Sequence, residues 1–213
     1  IDSLYFRSSC TLSTSPNGTR TSTWFLPKGL MTNSMIFTIG GNIGCGKSTV
    51  LHQLQSEYTT FTEPVDKWGA WLDLFYKDPA RNALPFQMKV LMEFTKIPDV
   101  DKIVTERSPQ DSLHVFSKSL PAEEYALYQE YVDTLGWRPD VYIYLRTDPE
   151  VCMARIEQRS RPAEDRISIE YIRTLHERYE AFVDTLPHVH KIDGNQTTAK
   201  ILDAVKNIMY LYI

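Results

Sequence analysis

The sequence predicts an α/β fold, a five-stranded and mostly parallel sheet flanked by helices, and three observations predict it. Short apolar runs alternate with stretches of helical spacing from Met35 onwards. The run Met35-Ile36-Phe37-Thr38-Ile39 is nearly continuous in apolar residues instead of alternating, as a strand covered on both faces is. The first run leads straight into a glycine-rich loop and a helix, Gly41-Asn42-Ile43-Gly44-Cys45-Gly46-Lys47-Ser48. Strands alternating with helices fold into a parallel sheet joined by right-handed crossovers.

The elements follow in order. Met35 to Ile39 is the first strand, stopped by Gly40-Gly41. A helix is expected from about Lys47 to Glu57, and a second strand from Tyr58 to Thr62, ended by Glu63-Pro64. Trp68 to Tyr76 and Ala80 to Lys96 carry helical spacing on either side of Asp78-Pro79. Lys102 to Thr105 is a third strand, ending in Glu106-Arg107-Ser108, and two helical stretches follow it, the second from Ala122 to Leu135. Val141 to Leu145 is the strongest strand signal, and Asp148-Pro149-Glu150 then opens a helix with acids at its N-terminus. A basic stretch precedes a long helix from Ser168 to Leu186. A last strand near Val189 to Ile192 and a helix from about Thr197 close the chain.

Composition narrows the function classes. A chain of 213 residues, 42% hydrophobic and 23% charged, suits one soluble domain with a sizeable core. The formal net charge of −4 gives no general attraction to nucleic acid. No apolar run approaches the roughly 20 residues that cross a bilayer, so no membrane association is expected. Cys10, Cys45 and Cys152 are scattered without metal-ligand spacing, as in a reducing compartment. Residues 1–34 stand apart, with thirteen Ser or Thr and a single acid, Asp2. They read as a disordered extension before a start at Met31 or Met35, leaving residues 35–213 as the folded domain of a cytoplasmic protein. The alternative is a mitochondrial transit peptide, since the segment is Ser-rich and acid-poor and carries Arg7, Arg20 and Lys28.

The glycine loop carries the strongest chemical signal. Gly41, Gly44 and Gly46 let the backbone turn tightly and aim N–H groups at phosphate oxygens. The helix that follows adds the positive end of its dipole, with Thr49 on its first turn. Lys47 can reach terminal phosphates, and the Ser48 hydroxyl suits Mg²⁺. No Asn-Lys-x-Asp sequence occurs and no Asp-x-x-Gly stands directly after the third strand, which argues against a GTPase. Glu106 lies at a strand end facing the ligand crevice, placed to hold Mg²⁺, with Arg107 able to bind a substrate oxygen. Glu63, fixed by Pro64, is placed to orient an acceptor hydroxyl and take its proton; a solvated loop end is the competing reading. Arg155 and Arg159 share a helix face, with Arg161 and Arg166 close behind, and can close over a triphosphate as a lid; a solvated basic turn is the competing reading. Trp68, Tyr76, Phe86, Phe94 and Phe116 flank these positions together with Gln87. Core packing explains most of the aromatics, whereas an amide such as Gln87 is suited to a base edge.

Several blocks together resemble one family. Phe61-Thr62-Glu63-Pro64-Val65-Asp66-Lys67-Trp68, Tyr76-Lys77-Asp78-Pro79, Pro85-Phe86-Gln87, Glu106-Arg107-Ser108, Tyr144-Leu145-Arg146-Thr147 and Leu175-His176-Glu177 occur in the order and spacing of the cellular-type deoxyribonucleoside kinases. The likeness runs from Met35 to about Val183 and points to the branch holding mitochondrial thymidine kinase, deoxycytidine kinase and the insect multisubstrate enzyme, with members in large DNA viruses. It implies the P-loop kinase fold, ATP and Mg²⁺ as cofactors, and a homodimer joined through a helical bundle. By matching position, Glu63 would be the base at the 5′-hydroxyl, with Arg107 beside it and Lys47 at the phosphates. Glu106 would join Ser48 at Mg²⁺. Gln87 would pair with the nucleobase between Trp68 and Phe116, and Tyr76 and Glu180 would hold the sugar. Arg159 and Arg161 would belong to the lid.

The sequence also departs from the pattern. Leu113 replaces an expected arginine, and Phe182 stands where tryptophan is common. Phe94 and Ser112 occupy the positions of the Arg and Asp of deoxycytidine kinase. Without that charged pair, a 5-methylated pyrimidine fits the base pocket better than a purine. The expected acceptor is therefore thymidine first and deoxycytidine second, in nucleotide salvage. The alternatives are a nucleoside monophosphate kinase such as thymidylate kinase, and a non-catalytic nucleotide-binding regulator.

Overall fold

The structure, a computed structural model, describes residues 34–212 and, ahead of them, two stretches, Ser13–Thr14 and Arg20–Thr21, that pair antiparallel. Apart from these stretches and Ser34, the expected extension over residues 1–34 lies outside the described residues. The main sheet has five strands: β1 (Met35–Gly40), β2 (Thr59–Phe61), β3 (Lys102–Glu106), β4 (Val141–Arg146) and β5 (Val189–Asp193). They are ordered β2-β3-β1-β4-β5, and every pairing is parallel. The principal helices are α1 (Lys47–Leu54), α2 (Gly69–Lys77), α3 (Pro79–Phe94), α4 (Ala122–Leu135), α5 (Pro149–Arg159), α6 (Ile169–Val183) and α7 (Thr198–Tyr210). Among the described residues no helix is long and apolar enough to cross a membrane.

The near-continuous apolar runs of β1, β3 and β4 follow from burial on both faces. On one face Phe37, Ile39, Val104, Ile143 and Leu145 pack against Val50, Leu51 and Leu54 of α1 and against Ile201, Val205 and Met209 of α7. On the other, Tyr142 and Tyr144 meet Leu175, Tyr179 and Phe182 of α6. Further along that face Ile36 and Ile103 meet Val90 and Phe94 of α3. Strand pairing places Ile39 beside Glu106, so the ends of β1 and β3 lie side by side. The connection leaving β1 crosses to β2 on one side, while that leaving β3 crosses to β4 on the other. Ligands of such sheets bind where two connections part in this way.

Element boundaries differ from the sequence expectation by a turn at most. The first helix ends at Leu54 because its carbonyl accepts from both Glu57 N and Tyr58 N, tightening the last turn. The sixth ends at Val183 and runs out in short-range bonds from Thr185 and Leu186 before Pro187. The expected helix after Glu106-Arg107-Ser108 is a broken run instead: an α turn over Pro109–Asp111, a π turn over Ser112–Phe116 and a 3₁₀ turn over Ser117–Ser119. π turns inside helical runs are frequent at functional sites, and this one carries Ser112 and Phe116 to the ligand cavity.

Candidate active site

The glycine loop joins β1 to α1 and rests on α5. Gly44 has φ +79°, and a Cβ there would lie 2.4 Å from the Cys152 carbonyl oxygen. Gly46 has φ +103°, a conformation that side-chain-bearing residues rarely adopt. Asn42 fastens the loop from below, with Oδ1 accepting from Ile43 N at 2.8 Å and Nδ2 donating to Ile172 O at 2.8 Å. Gly41, Asn42 and the fully buried Cys45 form the underside of the loop, while Ile43, Gly44, Gly46, Lys47, Ser48 and Thr49 face a cavity of about 360 Å³. The Lys47 ammonium is folded back onto Asn42 O (2.7 Å) and Gly41 O (3.0 Å). Arg155 lines the cavity together with Arg159 and Arg161. It donates to Cys45 O at 3.2 Å and to Gly194 O at 3.1 Å, pinning the loop to the segment after β5.

Three charged side chains converge beyond the loop. Ser48 Oγ donates to Glu106 Oε1 at 2.8 Å, which sets two hard oxygen donors side by side at the end of β3. Arg107 follows with φ +58°, and its backbone N–H donates to Ile39 O at 3.1 Å. Left-handed backbone at a non-glycine residue costs on the order of 1–3 kcal/mol and persists where surrounding contacts over-determine it. Those contacts are present: Arg107 Nη1 donates to Glu63 Oε2, Nε donates to the Tyr179 hydroxyl at 3.0 Å, and the guanidinium carbon stands 4.9 Å from the Phe116 ring centre. The Glu63 and Arg107 side chains are 7% and 9% exposed, a nearly dry ion pair. Burial pushes the Glu63 carboxyl up to about 7; Arg107 opposes this, and Glu106 adds to it.

The far end of the cavity is apolar and flat-walled. Trp68, Leu72, Phe75, Phe86, Val90 and Phe116 line it. Trp68 meets Phe86 edge to face at 5.9 Å, and Phe75 stacks on Phe86 at 5.5 Å. Gln87 enters this wall 4% exposed, and its Oε1 finds no hydrogen-bond partner among the described residues. A buried amide oxygen without a partner is costly, so a ligand edge is its natural complement. Tyr76 and Ser112 complete the lining.

Two of the expected substrate-pocket residues do not line the cavity. Phe94 is a core residue outside the cavity, packed on Phe61 and Trp137, and its carbonyl accepts from Trp137 Nε1 at 3.0 Å. It shares a helix face with Gln87 but lies seven residues further on, roughly 10 Å along the axis and past the end of the pocket. Glu180 likewise lies outside, where it accepts from the Tyr144 hydroxyl at 2.8 Å and pairs with Arg146 at 3.3 Å. One residue after the inward-facing Tyr179, it is turned about 100° round the helix towards the end of β4. The acid the sequence reading passed over is Glu164. It is buried, lines the cavity, and accepts two bonds of 2.6 Å from Arg159, with Arg161 at 3.9 Å. Its place three residues after Arg161 was the available signal.

The arrangement joins a polyphosphate cradle to an apolar slot through a buried carboxylate with a raised proton affinity. That suits transfer of a phosphoryl group onto a hydroxyl carried by a flat, polar-edged molecule. Comparison with known proteins agrees. A family model described as deoxynucleoside kinase matches residues 37–210. The chain is 33% identical to a thymidine kinase of ictalurid herpesvirus 1 over 207 residues, covering 87% of this chain and 88% of that one. It is 29% identical to the mitochondrial thymidine kinase 2 of Homo sapiens, covering 70% of this chain and 64% of that one. Among solved structures, a deoxyadenosine kinase of M. mycoides with dCMP and dCDP superposes with a TM-score of 0.72 at 22% identity, over 83% of this chain and 99% of that one, which shows the shared fold. The chain belongs to the deoxynucleoside kinase family and is an ATP-dependent phosphotransferase.

Proposed function

We propose that this enzyme transfers the γ-phosphate of ATP to the 5′-hydroxyl of a pyrimidine deoxynucleoside, thymidine first and deoxycytidine second, as a step of nucleotide salvage. The carrying observation is Gln87, buried with a free amide oxygen between uncharged walls at the end of a cavity whose other end is the phosphate loop. A pyrimidine ring offers an edge to that amide and a face to Trp68 and Phe116. Neutral Ser112 leaves room near the ring instead of a charge, which favours a 5-methyl group. Relatives named for thymidine and for deoxycytidine both occur, in line with a pyrimidine acceptor.

In this reading the loop N–H groups and Lys47 take the triphosphate, with Lys47 exchanging its loop carbonyls for phosphate oxygens. Glu63 accepts the 5′-hydroxyl proton, and Arg107 keeps that carboxylate oriented. Arg159 and Arg161 close over the transferring group. Tyr76 and Glu164, which face the cavity between slot and loop, are placed for the sugar hydroxyls. Ser48 and Glu106 fit Mg²⁺, a hard cation that takes one or two protein oxygens and keeps the rest for phosphate and water. When bound, Mg²⁺ would neutralise charge on the phosphates.

A panel of deoxynucleosides and their 5′-monophosphates, incubated with ATP and Mg²⁺, tests the proposal. Thymidine should give the highest kcat/KM and deoxycytidine the next. A purine in first place would overturn the base assignment. Preferential phosphorylation of thymidylate would favour a nucleoside monophosphate kinase instead.

A further inference from the structure

Asp111 does not line the cavity, is fully buried, and binds four donors. Its Oδ2 accepts from Ser108 N at 2.9 Å and Ser108 Oγ at 2.7 Å. Its Oδ1 accepts from the Tyr179 hydroxyl at 3.1 Å and from the Tyr142 hydroxyl. A carboxylate has only lone pairs to offer, so both phenols must donate to it. Burial, reinforced by the Asp111 charge, holds both phenols well above their usual range, so each keeps its proton. With that proton committed to Asp111, Tyr179 can present only a lone pair to its other neighbour, the Arg107 Nε–H at 3.0 Å. The guanidinium so fixed turns Nη1 to Glu63. The surrounding packing is cut to this chain of bonds. A Cβ on Gly40 would lie 1.8 Å from the Tyr142 hydroxyl oxygen, so only glycine lets that tyrosine pass. The Tyr144 ring stacks on Tyr179 at 5.8 Å and 19°.

We infer that Asp111, acting through Tyr179, is a positioning residue that aims Arg107 at Glu63 during phosphoryl transfer. The inference rests on Glu63 being the base. Its competitor is purely structural: a capped turn and two filled core positions, whose loss would cost stability and leave the folded enzyme's turnover alone.

Tyr179→Phe separates the two, because it keeps the ring and its stacking and deletes only the hydroxyl, the link that accepts from Arg107 and donates to Asp111. With kcat counted per nucleotide-binding site, so that unfolded protein does not contribute, kcat should fall roughly ten- to a hundredfold, as for an aiming error of about 1 Å. The KM for ATP and the Kd for thymidine should stay near the parent values. In Glu63→Gln the further change Tyr179→Phe should add little, since there is no longer a carboxylate to aim at. Tyr144→Phe also deletes a buried hydroxyl, but one bonded to Glu180 outside the site, and should keep the parent kcat. If Tyr179→Phe does not fold, Asp111→Asn is expected to show the same split between kcat and KM. Parent kcat in Tyr179→Phe beside a crippled Glu63→Gln overturns the positioning role alone, as does an equal loss in Tyr144→Phe. Undiminished turnover in Glu63→Gln overturns the base assignment and this inference with it.

Discussion

Glu63 lies at the end of β2, a place where carboxylates are usually solvated and ordinary. It differs because the Arg107 side chain and the cavity walls leave it 7% exposed. Desolvation then disfavours its charge more than Arg107 favours it, and its proton affinity rises to about 7. A base of that strength is matched to neutral pH. Glu63→Gln keeps the shape and an acceptor for Arg107 but cannot take a proton. Turnover should fall on the order of a hundredfold or more, while thymidine and ATP still bind by calorimetry. Parent-like turnover would remove Glu63 from the mechanism. The raised pKa also sets a pH signature. The working form is the carboxylate, which is lost as pH falls through about 7, so kcat/KM should drop on the acid side of pH 7. A flat profile from pH 8 to 5.5 would contradict that assignment.

At the scale of elements, the glycine loop and its neighbours work as one unit. The loop holds its shape because Gly44 and Gly46 take left-handed conformations and because α5 presses on it at Cys152. Gly44→Ala combines an unfavourable φ with a 2.4 Å clash against backbone that cannot step aside. The loop must lift off α5, and the KM for ATP should rise at least about tenfold, measured at saturating thymidine. An unchanged KM would mean that the loop adapts without its glycine. Strand and helix positions were legible in the sequence because burial on two faces and helical spacing are local patterns. The run over Pro109–Ser119 was not. Its capping turn at Ser108 and Asp111 and its π turn answer to partners on β4 and α6, more than thirty residues away in the chain.

At the scale of the molecule, strand order decides where chemistry happens, since the parting of connections after β1 and β3 brings the loop and Glu106-Arg107 to one crevice. The outer face of the helical layer is left partly apolar. Leu127, Tyr131 and Leu135 are 45%, 41% and 40% exposed at four-residue spacing on α4, and Met92 of α3 is 47% exposed. Such a stripe suits the helical-bundle homodimer that the family resemblance implies. Light scattering should find a dimer, and Tyr131→Glu should give a monomer that still binds ATP; a monomeric parent would refute the assembly.

The sequence alone determined the α/β class and the phosphate loop, because each is written in local residues whose spacing has few physical readings; that Glu63 and Arg107 share a site was implied only by the family resemblance. The tertiary structure decided which side chains line the cavity. It left Phe94 and Glu180 outside the lining, brought Glu164 into it, and tied Asp111 to Arg107 through Tyr179. Those outcomes depend on how far along a helix a pocket extends and on which strand end a side chain meets. Such distances are set by packing between elements remote in the chain, and local spacing carries no record of them.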